Sequence, residues 1–209
     1  MESSANNDNV VIIKYNAGNI KSVLYAMERI GISPIVSDDH SVIRGADKVI
    51  FPGVGEASSA MNYLKERELH KVIKDLKQPV LGICLGMQLM CRYSEENDTE
   101  CIGIFEEDVR LFHPSEAKEK VPQIGWNNIF HLKTELFNGV HEQSYIYSVH
   151  SYYAGTGADT IAEADYIHPY SAGLNRGNFF GVQFHPEKSA ETGEMILRNF
   201  MAMETPKKP

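Results

Sequence analysis

The sequence predicts an α/β fold with a central, mostly parallel sheet flanked by helices and additional antiparallel strands in the C-terminal half. Three observations predict it. Short apolar β-type runs alternate with amphipathic helical stretches through the first half of the chain. The run at 80–83 passes through a glycine-flanked cysteine directly into a helical stretch, the pattern of a tight strand–turn–helix corner. From Ile102 onward β-type runs dominate, and helical periodicity returns only near the C-terminal end.

Residues 10–15 form a continuous apolar strand. Asn19 can cap a helix whose apolar positions are Ile20, Val23, Leu24, Met27 and Ile30, one face of a helical period. Gly31 ends it. Short strands follow at 34–36 and 48–51. Residues 55–76 are helical in character with a break near Glu68, and 80–83 is the strand that leads into the corner. Further strands are expected at 109–112, 145–147 and 179–184, and a closing helix at 191–201. Residues 1–9 and 203–209 read as disordered tails around one domain spanning 10–202.

With 209 residues, the chain suffices for a single domain with a sizeable core. Hydrophobic residues make up 43% and charged residues 23%, values ordinary for a globular protein. The formal net charge of −8, without a run of lysine or arginine, argues against nucleic acid or an anionic membrane as partner. No stretch approaches the ~20 apolar residues of a membrane span. The N-terminal residues lack the basic and apolar regions of a secretory signal. Three cysteines, Cys84, Cys91 and Cys101, make no disulfide framework and fit a reducing, cytoplasmic setting. No pair of His, Cys, Asp or Glu has zinc-ligand spacing, so neither metal nor cofactor is expected.

The chemistry concentrates at two places. In Gly82-Ile83-Cys84-Leu85-Gly86 the turn lifts the thiol to the carboxyl edge of the sheet, and the amides of the next helix favour its thiolate form. Far downstream, Phe184-His185-Pro186-Glu187 supplies a base and, two residues on, a carboxylate to orient it. On an extended chain those two side chains leave on one face. Cys84, His185 and Glu187 therefore make a nucleophile–base–orienter triad. His150 competes as base, but it sits among tyrosines with no carboxylate at that spacing.

Gly-Ile-Cys-Leu-Gly-Met-Gln together with Phe-His-Pro-Glu resembles the triad-type, class I glutamine amidotransferases, whose domain has a flavodoxin-like arrangement. Within that family the segments at 14–23, 51–55, 122–127, 148–153 and 184–189 are most similar to glutaminase subunits of imidazole glycerol phosphate synthase. The resemblance implies hydrolysis of L-glutamine to glutamate and ammonia through a thioester on Cys84. It implies an oxyanion hole from the Leu85 amide and the Gly53–Val54 peptide, whose glycine-rich loop can turn an amide inward or outward. Glutamine would be held by Gln88, by Glu96 through its ammonium, and by backbone around His150, Ser151 and Tyr152. Glu95, adjacent to Glu96, competes for that role. The resemblance further implies a heterodimer with a HisF-type (β/α)₈ cyclase subunit, with Asn19, Tyr147 and Lys188 at the interface. This chain departs from the usual pattern at Gln123, where a histidine is common, and at Lys14-Tyr15-Asn16. A glutaminase serving another synthase and a non-catalytic module on the same fold remain as alternatives.

Overall fold

The computed structural model describes residues 8–16, 18–116 and 119–205. Its first strand, β1 (Val10–Ile13), is buried at every position. A central parallel strand is covered on both faces, and a continuous apolar run is what that requires. Helix α1 (Ile20–Arg29) turns Val23, Ala26 and Met27 inward. Strand β2 (Ile35–Ser37) lies at the sheet edge beside β1. Helix α2 (His40–Gly45) is absent from the hydrophobic pattern. Its sequence signal is a cap, because Asp39 accepts hydrogen bonds from the amides of Ser41 and Val42.

Strand β3 (Lys48–Phe51), helices α3 (Ala57–Glu66) and α4 (Leu69–Asp75), strand β4 (Val80–Ile83) and helix α5 (Leu85–Met90) complete the parallel half. The expected break near Glu68 is present, and this residue joins α3 to α4 at a φ of 55°.

The second half contains β5 (Tyr93–Ser94), β6 (Thr99–Glu100), β7 (Asp108–Leu111), β8 (Gln123–Phe130), β9 (Tyr145–His150), β10 (Tyr152–Ala154), β11 (Thr160–Tyr166), β12 (His168–Arg176), β13 (Phe179–Val182) and the closing helix α6 (Ala190–Ala202). Nine strands form the main sheet in the order β2-β1-β3-β4-β13-β12-β11-β8-β9. The first five run parallel, and β12, β11, β8 and β9 extend the sheet antiparallel. A small second sheet, β10-β7-β5-β6, lies alongside.

Alternate residues of β1 feed two cores. Val11 and Ile13 pack with Leu64, Ile73 and Met87 of α3, α4 and α5, while Val10 and Ile12 pack with Met27 of α1 and Phe200 of α6. The strand order sets β4 beside β13, with Ile83 opposite Val182. The two chemically important segments therefore leave the same carboxyl edge, where ligands bind in open α/β sheets.

The packed body reaches beyond the expected tail boundaries at both ends. The side chain of Lys48 is fully buried and pairs with Asp8 at 2.6 Å, and Thr205 also accepts from it at 3.3 Å. Met203 is itself buried. A buried ammonium needs such partners, since leaving it unpaired would cost several kcal/mol, on the order of 3 to 5. The rest of the two tail expectations, 1–7 and 206–209, lies outside the described residues.

Candidate active site

Cys84 sits between β4 and α5 with φ 53° and ψ −110°, a conformation that L-residues rarely adopt. Such strain costs on the order of 1–3 kcal/mol and persists where the surroundings over-determine it. Here they do. A side chain on Gly86 would collide with the Phe51 carbonyl of β3, and one on Gly82 with Met90 and the Met87 amide. The corner is thus wedged between β3 and its own helix α5, and its thiol is the candidate nucleophile. Cys91 and Cys101 are buried elsewhere, and burial pushes both thiols up, that of Cys101 to about 12.

His185 and Glu187 meet, but not along an extended strand. His185 is extended, whereas Glu187 lies in a single 3₁₀ turn, Pro186–Lys188, that swings its carboxylate back. His185 Nδ1 lies 2.8 Å from Glu187 Oε1. That carboxylate holds the Nδ1–H tautomer and leaves Nε2 for the thiol. Burial disfavours the charged ring, yet hydrogen bonds with Cys84 and Glu187 outweigh it and lift the His185 pKa to about 10. His150 is the opposite case. Burial draws it down to about 4, and its Nδ1–H donates to the Tyr152 carbonyl at 2.8 Å. A neutral, buried ring committed to a backbone carbonyl is a poor competitor for the base.

Asn19 starts α1 at φ 71° without capping it through its side chain. Its amide instead turns inward, donating to Glu187 Oε1 and approaching His185 Nδ1 at 3.5 Å. The carboxylate oxygen that orients the base therefore has a second donor, one that sequence reasoning missed.

The loop 52–55 follows β3 and faces the corner. The Leu85 amide donates to the Gly53 carbonyl at 3.2 Å. In a trans peptide the Val54 N–H then points the other way. Both candidate oxyanion donors are thus turned from the cavity or occupied. The buried Tyr15 hydroxyl donates to the Pro52 carbonyl at 2.6 Å, and the Gly18 amide to the Val54 carbonyl at 3.2 Å. A side chain on Gly53 would strike that hydroxyl.

A cavity of about 330 Å³ opens over Cys84, lined by Val54, Gln88, Glu96, the 150–152 turn, His185 and Lys188. This turn is where the chain crosses from the main sheet at β9 to the small sheet at β10. Glu96 lines the cavity and accepts from the Ala57 amide at 2.7 Å, and burial raises its carboxyl pKa. Glu95 points elsewhere, to the Leu111 amide at 2.7 Å. Of the two neighbours, Glu96 is the one that lines the cavity. A larger cavity of about 470 Å³ near Glu106 and His168 is lined by neither cysteine nor serine.

Comparison with known proteins gives the family. The model of the class-I glutamine amidotransferase family matches residues 11–203. The chain belongs to this family. Among its relatives, HisH of imidazole glycerol phosphate synthase from Bacteroides fragilis strain YCH46 is 55% identical over 194 residues, covering 93% of this chain and 99% of that one. The corresponding subunit of Escherichia coli K12 is 44% identical over 197 residues, covering 93% and 100%. That of Vibrio cholerae serotype O1 is 42% identical over 202 residues, covering 93% and 98%. PurLQS from Thermotoga maritima shares the fold, with a TM-score of 0.68 at 17% identity over 93% of this chain and 97% of that one. The protein is accordingly a HisH-like glutamine amidotransferase, an enzyme with glutaminase character.

On this amidotransferase, Lys188 lines the cavity and Tyr147 lies beside Lys188. Lys188 is exposed, its Nζ 5.9 Å from the Tyr147 ring, and Tyr147 meets Trp126 edge-on at 5.7 Å between centroids. Trp126, Ile124 and Tyr145 are more than half exposed at 55%, 65% and 62%, leaving an apolar face on the outer hairpin β8–β9. Gln123, one of the two departures from the family pattern, is buried, and the Tyr170 hydroxyl donates to it at 3.2 Å. Among the described residues no group of His, Cys, Asp and Glu is placed to hold a metal ion, and no helix is long and apolar enough to cross a membrane.

Proposed function

We propose that this chain is the glutaminase subunit of an imidazole glycerol phosphate synthase, delivering ammonia to a HisF-type cyclase subunit that makes imidazole glycerol phosphate and AICAR in histidine biosynthesis. The observation that carries the reading is the juxtaposition of Cys84 with the His185–Glu187 pair at one cavity that Gln88 and Glu96 also line.

Cys84 as thiolate attacks the side-chain carboxamide carbon of glutamine. The His185 imidazolium, oriented by Glu187, protonates the carboxamide nitrogen, which leaves as ammonia, and a glutamyl thioester remains. Water, deprotonated by His185, then attacks the thioester, and glutamate leaves with the thiolate restored. Glu96 balances the substrate ammonium, and the amides of the 150–152 turn receive its carboxylate. Negative charge on the carbonyl oxygen calls for preorganised donors, a need met when the Gly53–Val54 peptide flips and frees both the Val54 and Leu85 amides. The bond between Leu85 and Gly53 supports a resting state in which that hole is closed. Partner and ligand binding would favour the open state by contacting it preferentially.

The exposed Trp126, Ile124 and Tyr145, with Tyr147 and Lys188 beside the cavity mouth, support docking of the cyclase on that side. Ammonia release from glutamine, measured with and without the cyclase and its nucleotide ligand and alongside Cys84→Ala, tests the reading. Strong ligand-stimulated release that vanishes in the variant is expected. Release indifferent to the cyclase would transfer the ammonia to another acceptor, and no release would reject catalysis.

A further inference from the structure

We infer that Gln183 is a positioning residue for this reaction, one that fixes which atom Gln88 offers the substrate and directs an N–H toward the nucleophilic sulfur. The inference rests on the glutaminase reading above. It begins from register. Val182 pairs with Ile83, so the next residues of the two adjacent strands, Gln183 and Cys84, emerge side by side at the carboxyl edge. Gln183 is fully buried, and Gln88 is 5% exposed. Amides so placed must find partners within the protein.

Their partners define a directed chain. Gln88 Nε2 lies 2.9 Å from the Tyr152 carbonyl and 2.9 Å from Gln183 Oε1. A carbonyl can only accept, so the nitrogen end of Gln88 must face Tyr152. Both its hydrogens are then committed. The neighbouring Gln183 must answer with its oxygen, which turns its own Nε2 toward Cys84 Sγ at 3.8 Å. The orientation set by one backbone carbonyl thus passes through two side-chain amides to the sulfur. The same carbonyl also accepts from His150 Nδ1 at 2.8 Å, which holds it in place.

Two consequences follow. Gln88 has only Oε1 left for the cavity, so it recognises an N–H group of glutamine and never an oxygen acceptor. Gln183 supplies a hydrogen-bond donor that favours the thiolate over the thiol, independently of His185.

Two substitutions separate these effects. In Gln183→Glu the carboxylate still accepts from Gln88 but no longer donates to sulfur. In the complex with cyclase and nucleotide, kcat for glutamine should fall about 100-fold, as on loss of one preorganised donor, with KM within about twofold of the parent. Gln183→Met removes both bonds and frees the Gln88 amide, so kcat should fall similarly and KM rise about tenfold. Alkylation of Cys84 by iodoacetamide in the isolated chain gives a second readout, with its half-maximal pH moving up by about one unit in both variants. It requires neither partner nor glutamine, so it tests Gln183 even if ammonia release fails altogether. If the glutamate variant does not fold, the methionine variant decides alone. An unchanged alkylation profile in a folded variant, or equal changes in KM for the two variants, would overturn the inference.

Discussion

Two glycine-rich turns follow neighbouring parallel strands, and they are held in different ways. The corner at 82–86 is fixed sterically. Gly86 lies against the Phe51 carbonyl, Gly82 lies against α5, and Cys84 is kept in a strained conformation between them. The loop at 52–55 is held by hydrogen bonds from Tyr15, Gly18 and Leu85. Gly55, at φ 130°, has open space where a side chain would be. Packing contacts at interior density cannot be exchanged piecemeal, whereas a few hydrogen bonds of about 1 kcal/mol each can be traded for others. The candidate nucleophile is therefore placed once, and the candidate oxyanion donors are placed conditionally.

The comparison can be broken most severely at the rigid turn. Gly86→Ala should abolish ammonia release and destabilise the fold by about 3 kcal/mol, as overpacking against backbone does. Chemical denaturation and glutamine turnover measure both, and a folded, active variant would show that the corner is not sterically fixed. At the adaptable turn, Val54→Pro should leave folding intact and lower cyclase-stimulated turnover about 100-fold by removing one oxyanion donor. Resting turnover should hardly change, because that amide already points away. If stimulated turnover survives, the donor lies elsewhere.

Glu96 anchors the far end of the same loop through the Ala57 amide while it lines the cavity. Glu96→Ala should raise KM for glutamine about tenfold, the value of a hydrogen bond to a charged group, while Glu95→Ala stays near the parent. Equal effects would remove Glu96 from substrate binding. The smallest change expected comes from Tyr15→Phe, which loosens the loop without touching the nucleophile. Resting glutaminase turnover should rise about fivefold, one hydrogen bond's worth, with stimulated turnover unchanged. A resting rate equal to the parent's would mean that Tyr15 does not restrain the flip.

The parallel half was readable in advance because its determinants are local. Apolar runs buried on both faces and helical spacing mark β1, β3, β4 and α1, and the Gly-x-Cys-x-Gly corner carries its own steric logic. The antiparallel half was less so. Strands β11 and β12 escaped, although they form a long pair, because their burial depends on neighbours distant in sequence. The turn that brings Glu187 to His185 was mistaken for an extended segment, since Pro186 suits the start of a helical turn as well as a strand end.

By itself the sequence determined the alternation of elements, the family, and the candidates for nucleophile and base, all of which reside in contiguous residues and their spacing. Tertiary structure alone decided the rest. It turned the Asn19 amide onto Glu187, set Glu96 rather than Glu95 at the cavity, closed the Gly53 carbonyl onto Leu85, and set Gln183 beside Cys84. The reason is common to all four. Where a polar group points depends on which partner the packed chain brings within about 3 Å, and strand order and register, rather than neighbours in sequence, supply that partner.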